Sequence, residues 1–300
     1  MTAGRAELVA AGTSGAYRSS DEGKTWLAFQ TPSGAIGLAV DAANKGHAIA
    51  GGSTVQVTGD GGAHWSQPPA APPGQGPYTP LRINPGDAGV WFLSEQGRLL
   101  RTRDAGNSWR QLTGLPPLGE AVLVAGPSAD QFFLATGSRL FELDDNGQQI
   151  IERTGPPGGA SVVGLSSAPG LLLMLASNGK VYLSNGSGWS DLGMKAAGPI
   201  ATAGSHLWVG AGGDGPGGGR GVTSSEDGGR TWFQGSGLPN RQTVEGIAPS
   251  QDGHRVVAYC SAGDIYTSGD AGRTWTFRSA GLRIPTHLLA AVERSEAVGV

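Results

Sequence analysis

The chain has 300 residues and a net charge of −3, so it carries no global attraction for nucleic acid or an anionic membrane surface. Hydrophobic residues make up 38% of it, enough for a core, while its 53 glycines lack the triplet period of collagen. The lone Cys260 excludes an internal disulfide, and the longest apolar run, Leu171 to Ala176, is far too short to span a membrane.

The first predicted elements are a strand at Glu7-Leu-Val-Ala-Ala and a second ending at Ser19. There follows a pattern, Ser/Thr-x-Asp-x-Gly-x-(Thr/Ser/His)-Trp, which we call the box: Ser19, Asp21, Gly23, Thr25, Trp26. It returns at Thr58, Asp60, Gly62, His64, Trp65 and at Thr102, Asp104, Gly106, Ser108, Trp109. Two worn copies come next. Leu143 to Ile150 keeps Asp145 and Gly147 but has lost Ser and Trp, and Ser184 to Trp189 keeps Ser and Trp but is two residues shorter. Clean copies resume at Ser225, Asp227, Gly229, Thr231, Trp232 and at Ser268, Asp270, Gly272, Thr274, Trp275.

The last positions of these boxes, 26, 65, 109, 150, 189, 232 and 275, are 39 to 44 residues apart. Each repeat has the same grammar: an inner strand such as Val244-Glu-Gly-Ile-Ala, a second strand, a short Gly/Ser/Asn turn, a third strand, the box, and a brief outer strand. Four short strands at this period predict the blades of a β-propeller, all-β and seven-bladed, with antiparallel four-stranded sheets. The chain opens on a second strand, and the missing inner strand is available in Thr286 to Val292. Pairing the C-terminal strand with the N-terminal ones would close the ring and remove its free edges. Residues 1–300 are therefore expected to form a single domain.

The box falls between a blade's third and fourth strands. Its carboxylate can accept bonds from backbone N–H groups a few residues on, and its glycine can take the positive φ that other residues reach only at a cost. The hydroxyls can tie the strand ends, and the tryptophan can bury a face and donate its N–H to a carbonyl. Rotational repetition spreads these aspartates around the rim. They are accordingly structural residues (Asp21, Trp26, Asp60, Trp65, Asp104, Trp109, Asp145, Trp189, Asp227, Trp232, Asp270 and Trp275) rather than catalysts or metal ligands. His47, His64, His206, His254 and His287 show no metal-ligand spacing, and neither a metal nor another cofactor is expected.

The sequence resembles the Asp-box, or bacterial neuraminidase repeat, propellers, over its full length. Gly237-Leu-Pro through Trp275 looks like a blade of the photosystem II assembly-factor-type and sortilin-type groups. The resemblance specifies fold and says little of function, because one fold hosts unrelated activities. It implies two readings. Sialidases of this superfamily use an Arg-Ile-Pro whose arginine grips a substrate carboxylate; here Arg283-Ile284-Pro285 precedes an inner strand, and Arg82 and Arg241 could complete an arginine cluster. Tyr78, Tyr259 and Glu245 are the candidates for a nucleophile pair. Against that, sialidases have six blades and carry an acidic Asp soon after the motif, and no Asp follows Pro285. Xyloglucanase-type hydrolysis uses carboxylates across a cleft between two propellers, whereas one is expected here.

The topology sorts the loops onto two faces. Links between blades, and turns between second and third strands, share a face with Arg82, Arg98, Arg139, Arg153, Lys180, Lys195, Arg220, Arg241 and Arg283, against Glu95, Glu120, Asp214 and Asp264. The boxes occupy the other face. The expected polarity is a basic ligand face and an acidic structural one. Two overlong loops belong to the basic face: the proline-stiffened linker 66–78 and the glycine run 210–220. The run lacks the Lys-Ser/Thr of a phosphate-binding loop.

The leading expectation is a non-catalytic binding or scaffold propeller that takes a protein, or an anionic ligand such as a glycan, on its basic face. Arg82, Arg241, Arg283, Glu245 and Tyr78 are the candidate contacts. The alternative is a sialidase-like glycoside hydrolase. Nucleic-acid binding and membrane insertion are not expected, and a monomer is. The opening Met1-Thr-Ala-Gly-Arg lacks the apolar stretch of a secretory leader, which reads as cytoplasmic, or as secreted or periplasmic if a leader has been removed.

Overall fold

The computed structural model describes residues 7–12, 15–41, 46–84, 87–119, 121–126, 128, 130–144, 147–184, 186, 188–211, 221–239, 242–280 and 286–292. The predicted sites Glu120, Asp145, Asp214, Arg220, Arg241 and Arg283 lie outside them. Seven antiparallel sheets account for all but one of the secondary-structure elements, and they are the blades of a seven-bladed β-propeller. The chain divides into two compact units, one of Met1–Gly12, Ala16–Ala28 and Lys195–Val300, the other of Thr13–Gly15 and Phe29–Met194.

The first sheet contains β1 (Glu7–Gly12), β2 (Gly15–Ser19) and β3 (Leu27–Phe29). The second holds β4 (Gly37–Val40), β5 (Ala48–Gly51) and β6 (Val55–Thr58). It has three strands rather than the expected four. The Val57–Ser66 bridge stands where an outer strand would begin, and Pro68 and Pro69 follow at once. Proline lacks the N–H that a ladder needs, so pairing stops there.

Within the second unit, the third sheet runs β7 (Tyr78–Asn84), β8 (Asp87–Glu95), β9 (Arg98–Thr102), β10 (Arg110–Leu112). The fourth runs β11 (Ala121–Ala125), β12 (Phe132–Thr136), β13 (Arg139–Asp144), β14 (Gln149–Arg153). The fifth runs β15 (Val162–Ala168), β16 (Leu171–Ala176), β17 (Lys180–Ser184), β18 (Ser190–Lys195). The remaining sheets are β19 (Ile200–Ala203), β20 (His206–Ala211), β21 (Gly221–Ser225), β22 (Phe233–Gln234) and β23 (Val244–Pro249), β24 (Val256–Cys260), β25 (Ile265–Ser268), β26 (Thr276–Ser279). The last strand, β27 (Thr286–Val292), pairs antiparallel with β1, from Glu7 opposite Val292 to Gly12 opposite Thr286. The expected joining of the chain's two ends in one sheet is thus present.

The core lies between successive sheets. In the first unit Trp208, Val222, Val256, Ala258 and Cys260 form one cluster with Trp275. In the second, Phe92, Leu99, Leu134, Phe132 and Phe141 join the third and fourth sheets, with Phe92 and Phe132 tilted at 4.7 Å between ring centroids. A middle strand can therefore be apolar on both faces, as in the unbroken burial of Val256–Cys260.

The boxes form the turns their sequence predicts. Ser19 Oγ donates to Asp21 Oδ1 at 2.8 Å and accepts from Gly23 N at 2.8 Å; Asp21 then accepts Thr25 N at 2.8 Å and Thr25 Oγ1 at 2.6 Å. The same set recurs around Asp60, Asp104, Asp227 and Asp270. Each turn needs two successive left-handed residues, such as Ala271 at φ 57° and Gly272 at φ 92°. At Gly272 a Cβ would lie 2.6 Å from Ser224 Oγ and 3.1 Å from the Trp208 indole nitrogen, so glycine also permits the close approach of one blade to the next.

The tryptophans use their N–H groups in two ways. Trp26, Trp232 and Trp275 donate to their own box glycine's carbonyl, at 3.1, 2.9 and 3.0 Å. Trp65, Trp109 and Trp189 reach back instead to Gln30, Ala70 and Thr154, just beyond the previous repeat's box, at 2.7, 2.9 and 2.8 Å.

Candidate functional site

The predicted ligand face begins with linker 66–78, and it is built around a buried carboxylate. Glu95, 1% exposed at the end of β8, accepts Gln75 N at 3.2 Å and Arg98 Nε at 2.9 Å. Burial raises its pKa, but the Arg98 guanidinium and the Gln75 N–H outweigh this and hold it below the usual carboxylate value. Gln96 Nε2 donates to Gly76 O at 3.2 Å, and Tyr78 N to Gly52 O at 2.8 Å. A cavity of about 230 Å3 lies under the linker, between Thr54, Gln67, Pro72 and Tyr78. The linker is therefore an ordered platform.

Tyr78 holds this platform together. It is 5% exposed, its hydroxyl donates to Pro72 O at 3.1 Å, and burial pushes its pKa up. Glu245 is the extra residue at the bulge between Val244 and Gly246 in β23, and it is exposed. Arg82 sits on inner strand β7 beside another bulge, between Pro80 and Arg82. The residue retains partial exposure, but its Nε is buried with no hydrogen-bond partner, and burial lowers its pKa to about 10.

Most of the described basic residues of this face carry an acidic partner. Arg98 pairs with Glu95, Arg139 Nε with Glu152 at 2.7 Å, Arg153 Nε with Glu142 at 2.6 Å, and Lys180 with Asp191 at 2.8 Å. The last three are cross-strand pairs within a blade's third and fourth strands. Counting loop charges by sequence missed them, although strand register would have paired them: Phe141 lies opposite Glu152, and Leu140 opposite Arg153.

Chemistry elsewhere is restrained. Cys260 is fully buried, and burial, with Asp264 and Glu245 adding to it, pushes its thiol up to about 12. No group of three His, Cys, Asp or Glu side chains among the described residues is placed to hold a metal ion. No described helix is long and apolar enough to cross a membrane. A second cavity, of about 400 Å3, lies between the fourth and fifth sheets beside Glu142, Arg153 and Trp189. Its sequence signal was the shortened box at Ser184 to Trp189.

These sheets define a seven-bladed β-propeller, and the solved structures the chain is similar to are β-propellers too. YCF48 bound to D1 peptide matches with a TM-score of 0.57 and 16% identity, over 83% of this chain and 83% of that one. YCF48 from Cyanidioschyzon merolae gives 0.59 and 16%, over 84% and 89%. The GH74 enzyme of Niastella koreensis gives 0.60 and 16% over 93% of this chain, which spans only 44% of that enzyme's length. At such identities the likeness is one of fold. No protein-family model and no curated protein matches the sequence.

Proposed function

We propose that this chain belongs to the Asp-box repeat propellers and is a non-catalytic binding module, taking a protein segment or other anionic ligand on the face that bears linker 66–78. The observation that carries this reading is the linker itself, thirteen residues folded onto the Glu95 carboxylate and braced by Tyr78. A loop already ordered on a rigid scaffold loses little conformational entropy on binding, which favours affinity. Arg82 adds to this: a desolvated guanidinium without a hydrogen bond at Nε favours an incoming anion. Arg241, Arg283 and Glu245 are kept as further candidate contacts to be tested by substitution. YCF48, of the same fold, has been solved with a peptide bound.

The test uses fluorescein-labelled acidic and basic decapeptides, with anisotropy as the readout. The acidic peptide is expected to bind more tightly, to weaken as salt rises, and to lose affinity in Arg82→Gln, Arg241→Ala and Arg283→Ala. Equal binding of both peptides, indifferent to these changes, would refute it. Hydrolysis of a fluorogenic sialoside that disappears in Arg283→Ala would establish the glycosidase alternative in its place.

A further inference from the structure

In six of the sheets one position on the second strand is equivalent: the residue after the one paired with the first box position. Ala48 pairs with Thr58, Trp91 with Thr102, Phe132 with Leu143, Leu172 with Ser184, Leu207 with Ser225 and Val256 with Ser268. The residues that follow are Ile49, Phe92, Phe133, Leu173, Trp208 and Val257. Five of these are between 0% and 5% exposed, and Phe133 is the one left partly open.

The reason lies in what covers them. A Cβ on box glycine Gly147 would lie 3.6 Å from Phe92, which shows how closely that turn sits on the preceding blade. Gly272 does the same to Trp208, whose N–H donates to Ala271 O at 2.9 Å. The turn due to cover Phe133 is the shortened box of the fifth sheet, which lacks the aspartate. A Cβ on its Gly186 or Gly188 would meet nothing within 4 Å. The cavity of about 400 Å3 occupies the place that a full-length box would fill.

Its lining is suited to a particular chemistry. Phe133 and Leu172 supply apolar surface, and Trp189, with its N–H committed to Thr154 O at 2.8 Å, offers only its ring. Glu142 is held by Gln131 Nε2 at 2.5 Å and by Arg153 Nε at 2.6 Å, one bond to each carboxylate oxygen. Each of those oxygens has a lone pair to spare, and the half-exposed guanidinium has four more N–H groups. The Glu142–Arg153 pair is neutral, and Asp144, which accepts from Gln131 Nε2 at 3.1 Å, biases the site against anions. The volume falls in the range of small-molecule sites, roughly 300–1,000 Å3.

We propose that this cavity is a binding site for a small, uncharged planar aromatic molecule with adjacent acceptor and donor groups, as in an aromatic carboxamide. Its ring packs on Trp189 and Phe133, its carbonyl accepts from Arg153, and its N–H donates to Glu142. The site shares no residue with the 66–78 platform, so its fate does not bear on the function proposed above.

The probe is 2-naphthamide, with 2-naphthoate as its charged counterpart, followed by calorimetry and by the indole N–H resonance of Trp189. The expected result is one amide bound per chain, with the Trp189 resonance shifted and the naphthoate about tenfold weaker or worse. Arg153→Gln should weaken the amide by about tenfold, the loss of one good hydrogen bond. Leu171→Trp, at a partly exposed cavity residue, should fill the space and abolish binding. Circular dichroism would verify that both variants are folded. Failure of the amide to bind, binding unchanged in both folded variants, or preference for the naphthoate would overturn the proposal.

Discussion

At the scale of the residue, the box is a backbone device whose carboxylate is held by the hydroxyls and N–H groups of its own turn. Asp21 illustrates this. Bonds from the Thr25 hydroxyl and N–H, chiefly, depress its pKa from 3.8 to about 2. A depressed carboxylate pKa contributes stability that is fully present above the unfolded value and is lost as pH falls through the folded one. Asp21→Asn should therefore lower stability at pH 7 and remove part of the acid sensitivity between about pH 4 and pH 2 in urea titrations, so that the two proteins converge at low pH. Glycine is a second test. Gly272→Ala meets both a positive φ and Ser224, and should lower stability by more than about 1 kcal/mol in denaturant unfolding. Gly186→Ala meets only the φ and should cost less.

At the scale of the element, legibility in the sequence follows from how local each signal is. Hairpins and turns are each written within 10 or so residues, and the box recurs often enough to show its period, so the blade count and the strand β27 at Thr286–Val292 could be read directly. Two things could not. The second sheet loses its outer strand because prolines follow Ser66, a competition between pattern and ladder that the repeat average hides. The open flank of Phe133 depends on the length of a loop some fifty residues onward, and only packing relates the two. Phe92 and Phe133 occupy equivalent positions, so truncating each measures that difference. Phe92→Ala should cost about 3–5 kcal/mol, as for other buried aromatics. Phe133→Ala, already facing a cavity, should cost clearly less in the same chevron or equilibrium experiment.

At the scale of the whole molecule, the candidate ligand face was legible as loops and illegible as charge. Arg139, Arg153 and Lys180 stand at loop ends in the sequence, yet cross-strand carboxylates neutralise them. The exposed pairs Arg139–Glu152 and Lys180–Asp191 contribute little to stability, but they do cancel long-range attraction. Potassium chloride should consequently slow acidic-peptide association only modestly, and Glu152→Gln, which frees Arg139, should increase that salt dependence in stopped-flow measurements. Linker 66–78 was expected to be stiff because of its prolines. The sequence did not disclose that Glu95 would be its anchor, because the contact spans about twenty residues and requires β7 and β8 to be paired first.

The pairing of β1 with β27 also imposes a schedule on the ribosome. Every other sheet can assemble from strands made within about forty residues of one another, as they emerge. The first must wait until the roughly 280 residues between β1 and β27 have been translated, at about 5–20 residues per second, with one edge of β1 unpaired for ten seconds or more. During that interval the nascent chain presents a ready template for another copy's strands, a hazard that grows with crowding on a polysome. A chain halted at residue 285 would prolong that state indefinitely, and it should elute as oligomers or aggregates in size-exclusion chromatography with light scattering. Adding the missing 286–292 segment as a separate peptide should shift it back toward monomer.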